Sequence, residues 1–101
     1  MQECQFIAGE VIFNEGEESD VAYQVISGRV DIYRRVPGGT VQLGTVEEGE
    51  IFGEMGIISD TPRSACAAAL TDVTLRAISC QTLDLLLERQ PEIIVQIIRV
   101  L

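Results

Sequence analysis

The run SACAAAL, Ser64–Leu70, decides the fold class. Its alanines have the highest intrinsic helix propensity of any residue. The run is nevertheless short and is closed off by Pro62 on one side and Asp72 on the other. A helix of that length has little stability of its own, and it would interrupt the strand-like segments on either side. SACAAAL is therefore predicted to be a strand, whose small side chains let a ligand come close to the backbone.

Outward from this run, residues 5 to about 78 read as short strands separated by closely spaced turn signals. Glu10–Phe13 ends in the polar loop NEGEESD. Val21–Ser27 (VAYQVIS) and Arg29–Val36 (RVDIYRRV) flank Gly28 and are predicted to pair as a tight hairpin. PGGT, Pro37–Thr40, is a turn before Val41–Val46, and EEGE is another before Ile51–Phe52. Ser64–Leu70 and Val73–Ile78 complete seven strands.

From about residue 80 the pattern becomes helical. Ser79 suits an N-cap ahead of Leu83, Leu86 and Leu87 on one face. Pro91 ends that helix and opens another, in which Ile93, Ile94, Ile97, Ile98 and Leu101 form one stripe. This last helix reads as cut at Leu101. The expectation is a single domain over residues 1–101, mainly β: an antiparallel sandwich or jelly-roll barrel at about 5–78 followed by two helices at about 80–101.

The charge balance narrows the function. Seven basic residues, all Arg, face sixteen acidic ones, a net charge of −9. Such a segment repels nucleic-acid phosphates and anionic membranes, so an anion must be held at a focused site. The chain has no His, which excludes imidazole-based metal sites and Ser-His-Asp triads. Its three cysteines, Cys4, Cys66 and Cys80, lack paired metal-ligand spacing and fit a reducing cytoplasm. No leader-like or membrane-spanning run is present in the sequence. No catalytic residue, metal or cofactor is predicted, and the chain is read as a binding domain rather than an enzyme.

Upstream of SACAAAL lies IFGEMGIISDTPR, Ile51–Arg63. Gly53 permits close approach by a ligand, and GEMGII can form about one helical turn whose first N–H groups favour an anion. Arg63 and the N–H groups of Ser64 and Ala65 add further donors. Together they would cradle one phosphate. Glu54 would repel a phosphate and suits a hydroxyl donor such as a ribose. Residue chemistry alone leaves open a solvated Arg63, or one merely paired with Glu54.

The same stretch resembles the phosphate-binding cassette of the cyclic nucleotide-binding domain family. Phe52-Gly53-Glu54, then Met55, Gly56 and Ile57, then Pro62-Arg63-Ser64-Ala65, fall on that cassette in order. FIAGEVIFNEGEESDVAYQVISGRVDIYR, Phe6–Arg34, is similar to the family's opening pattern, and DVTLRAIS to its final strand. The resemblance covers nearly all of the chain. It departs at Cys66, where Ser, Thr or another small residue is usual. The Pro91 helix is also shorter than the family's base-covering helix.

The resemblance implies a jelly roll with a short phosphate-binding helix, acting as a regulatory sensor for cAMP, ahead of cGMP. It assigns the exocyclic phosphate to Arg63 and the ribose 2′-hydroxyl to Glu54. Backbone N–H groups near Gly53–Met55 and at Ser64–Ala65 would complete the cradle. Ile32, Leu43 and Val46 are candidates for apolar ligand contact. A homodimer or a neighbouring effector domain would be reached through Pro91–Leu101. The alternative is a structural domain of the same fold that binds no cyclic nucleotide.

Overall fold

The computed structural model describes residues 2–54, 61–79, 81, 82 and 85. Eight strands follow one another: β1 (Gln2–Phe6), β2 (Val11–Phe13), β3 (Val21–Ser27), β4 (Val30–Val36), β5 (Gly39–Val46), β6 (Ile51–Phe52), β7 (Cys66–Ala69) and β8 (Val73–Ser79). They form two four-stranded sheets, ordered β1-β8-β3-β6 and β2-β7-β4-β5. All the pairings are antiparallel. The pairs β4–β5, β3–β6, β2–β7 and β1–β8 are nested. The chain is thus one long hairpin, doubled back at Pro37–Gly38, whose successive rungs fall alternately in the two sheets. Rolling it up sets β3 beside β8 and β4 beside β7. This is a jelly-roll topology.

Within SACAAAL, Cys66–Ala69 is a strand, β7, while Ser64, Ala65 and Leu70 lie just outside it. Ala65, Ala67 and Ala69 belong to the core cluster, in alternation along the run. Strand pairing with β4, which sets Ala69 and Ala67 opposite Val30 and Ile32 in one core cluster, overrides the helix propensity of alanine. Phe13, Val25, Val46, Phe52, Val73 and Leu75 fill the rest of the space between the sheets. The helical turn expected after Gly53 and the helices expected over 80–101 lie almost wholly outside the described residues. Gln81, Thr82 and Leu85 alone are described there, and they are helical.

Two expectations need correction. The strand region starts at Gln2, because β1 pairs with β8 from Gln2↔Ala77 to Phe6↔Val73. It therefore has eight strands rather than seven. Also, β3 and β4 do not form a hairpin; they lie in different sheets. Gly28, at φ +89°, turns the chain from one sheet to the other. A Cβ there would lie 2.3 Å from the Asp72 carbonyl oxygen and 2.7 Å from the Val73 side chain. The sheet switch is therefore packed directly against the β7–β8 turn, and only glycine fits.

Candidate functional site: a buried arginine and an unpaired buried carboxyl

β6 pairs with β3 and delivers the chain to Gly53, whose φ is +77°. A Cβ at Gly53 would meet Arg63 Nη1 at 2.7 Å and the Phe13 ring at 3.3 Å. Glycine is what lets the guanidinium come so close. Glu54 follows, 1% exposed, and neither of its carboxylate oxygens has a hydrogen-bond partner. Burial raises its pKa to about 7, while its own backbone N–H and the Arg63 charge pull more weakly the other way.

Arg63 enters from the segment leading to β7. Its N–H donates to the Glu17 carbonyl and its own carbonyl accepts from the Gly16 N–H, both at 2.8 Å. The polar loop after β2 therefore fixes its backbone. The side chain is 6% exposed. Nη1 donates to the Gly53 carbonyl at 2.6 Å and Nη2 to the Val21 carbonyl at 2.8 Å. The guanidinium carbon lies 4.2 Å from the centroid of the Phe13 ring, a cation–π contact. Phe13, Tyr23 and Phe52 pack on one another at centroid distances of 5.5 to 6.4 Å, making an aromatic floor.

Nε of Arg63 is buried with no partner. Desolvation lowers the pKa of Arg63, opposed by Tyr23, Asp20, Glu17 and Glu54, and the group stays a cation. The same burial raises the Tyr23 pKa. Arg63 is therefore not a solvated loop residue, and it is not hydrogen-bonded to Glu54.

The structure thus brings Gly53, Glu54 and Arg63 together, with exposed Ser64 and buried Ala65 following directly. Met55 lies outside the described residues. Ile32 and Val46 are core residues. Leu43 is 50% exposed and is the extra residue of a β-bulge, between the pairs Ile32↔Gly44 and Tyr33↔Gln42. It does not join Ile32 and Val46 in the core cluster. Phe13, Tyr23 and the Val21 carbonyl were not identified from sequence. Phe13 could have been, since it ends the IF pair of the opening pattern. A carbonyl's aim comes only from the fold.

Comparison with known proteins decides the family. The model of the cyclic nucleotide-binding domain matches residues 3–90. This chain belongs to the cyclic nucleotide-binding domain family. The domain is 36% identical, over its whole length and 46% of the relative, to a CRP-like cAMP-activated global transcriptional regulator of Mycobacterium tuberculosis. It is 41% identical to a cAMP-dependent protein kinase regulatory subunit of Dictyostelium discoideum, covering 81% of this chain and 25% of that one. Among solved structures, the EAL enzyme Bd1971 superposes with a TM-score of 0.78 at 40% identity, over 87% of this chain and 23% of that one. It is known in a cGMP-bound form and in a form with cAMP and cyclic-di-GMP bound. This cyclic nucleotide-binding domain spans about half, or less, of the length of the curated relatives it matches. Among the described residues, no helix is long and apolar enough to cross a membrane, and no group of three potential metal ligands is found.

Proposed function

We propose that residues 1–101 form one regulatory domain that binds a 3′,5′-cyclic nucleotide, cAMP ahead of cGMP, at Gly53, Glu54, Arg63, Ser64 and Ala65. The observation that carries this reading is the pair of uncommitted groups. Both oxygens of Glu54 and Nε of Arg63 are buried without partners. Buried polar groups left unpaired cost free energy, and a ligand that pairs with them recovers it. A phosphodiester beside a ribose hydroxyl supplies an acceptor for the guanidinium and a donor for the carboxyl.

Arg63 would bind the phosphate. Of its five N–H donors, two are committed to carbonyls and three remain. The bonds to Gly53 and Val21 and the Phe13 face set its orientation before the ligand arrives, which lowers the ordering cost of binding. Glu54 would accept from the 2′-hydroxyl. The Ser64 and Ala65 N–H groups, and those near Gly53–Met55, would complete the cradle. Ile32, Val46 and Leu43 would supply apolar contact. Preference for cAMP is supported by relatives named for that ligand, in a reducing cytoplasm that suits free Cys4 and Cys66. Binding would be transmitted by repacking of the segment after Ser79 against a partner domain or a second copy.

The test is titration calorimetry with cAMP, cGMP and 5′-AMP on the wild type and Arg63→Ala. Cyclic nucleotide binding that disappears in the variant is expected. Equal affinity in the two proteins would rule the site out.

A further inference from the structure

We infer that Arg34 is a positioning residue for the phosphate cradle, holding the Ser64–Ala65 peptide in its binding orientation; this rests on the proposed function. Arg34 is exposed and sits on β4 two residues beyond Ile32, so alternation places it on the inner face of its sheet. The β4–β7 pairing ends at Tyr33↔Cys66, where Ala65 and Ser64 lead into β7. From there Arg34 Nε donates to the Ser64 carbonyl at 3.0 Å.

One planar trans peptide joins the Ser64 carbonyl to the Ala65 N–H, so fixing the direction of the first fixes the second. Arg63, one residue earlier, is already pinned through both backbone groups to Gly16 and Glu17. Arg34 supplies the matching restraint on the far side of Ser64. Without it, the segment between Arg63 and Cys66 has a free hinge at an exposed serine. Donors ordered before the ligand arrives lower the ordering cost of binding.

The test is Arg34→Met, which keeps the aliphatic stem and removes the donor. Affinity for cAMP is measured by calorimetry at low and high salt, and for the 2′-deoxy and phosphorothioate analogues. A loss of about three- to tenfold is expected for cAMP, as for one lost hydrogen bond. The melting temperature of the free protein should stay close to wild type. The loss should persist at high salt, because a clamp is not screened as a distant charge is. It should be undiminished for the 2′-deoxy analogue and smaller for the phosphorothioate, because the clamp acts on the phosphate side. A loss that vanishes at high salt, or that is equal for all ligands, overturns the inference alone. A wild type that binds neither cAMP nor cGMP overturns both it and the proposed function.

Discussion

The dipeptide Gly-Glu occurs four times, at Gly9–Glu10, Gly16–Glu17, Gly49–Glu50 and Gly53–Glu54. Each glycine has positive φ. In the first three the dipeptide closes a tight turn, and the Glu N–H donates to the carbonyl three residues back at 3.0 to 3.2 Å. The carboxylate then accepts the N–H of that same residue, from Ile7, Asn14 and Glu47, at 2.6 to 2.8 Å. The fourth breaks the pattern. Ile51, three residues before Glu54, is already paired in β6 with Gln24, and Glu54 is buried with both oxygens unpaired. The same two residues make three self-satisfied turns and one group left open to a ligand. The adjacent Arg63 shows why the open group is the acid. A guanidinium cannot shed its charge and needs permanent partners, whereas a buried carboxyl can take up a proton and stay neutral.

Substitutions can break this contrast. The largest effect is expected from Arg63→Ala. Losing two charge-assisted hydrogen bonds should cost about two to four decades of cyclic nucleotide affinity by calorimetry. Circular dichroism should show the sheets intact, with a lower melting temperature from the unpaired Val21 and Gly53 carbonyls.

The next effect is on pH dependence. The folded pKa of Glu54, about 7, lies above its ordinary 4.5, so the folded state holds the proton more tightly than the unfolded chain. Stability should therefore fall as pH rises from about 4.5 through 7 and then level off, by on the order of 3 kcal/mol. Denaturant melts of Glu54→Gln should lack that decline. The same protonation opposes a ligand that donates to the carboxylate. Cyclic nucleotide affinity should rise between pH 6 and pH 8 in the wild type and stay flat in Glu54→Gln.

Gly53→Ala tests the geometry between the two groups. Its Cβ would displace the guanidinium, and about tenfold weaker binding is expected with a modest loss of stability, since φ +77° disfavours any side chain. The smallest effect belongs to the closed turns. Glu10→Ala should cost about 0.5–1 kcal/mol of stability in denaturant melts and leave binding unchanged. A binding defect in Glu10→Ala equal to that of Glu54→Gln would erase the distinction.

Much of this was legible in the sequence because turns and alternation are local. The glycine turns and most strand positions follow from short-range pattern. β1 was missed because it is an edge strand whose Gln2, Glu3 and Gln5 are exposed, leaving Cys4 and Phe6 as its only inward signal. Gly28 was read as a hairpin turn because local chemistry does not distinguish a return within one sheet from a step to the other. Glu54 and Arg63 were legible through the resemblance of their stretch to a known cassette, whereas their spacing alone left a solvated Arg63 open. Their surroundings were not. The Val21 carbonyl, the Phe13 face and the Arg34 contact are set by strand register across distant parts of the chain.

The outermost rung of the nested hairpin, Gln2 opposite Ala77, has one more consequence. The chain enters and leaves the roll side by side, at the same edge of one sheet. A unit whose two leads emerge together can be spliced into a longer polypeptide at a single surface point without stretching its host.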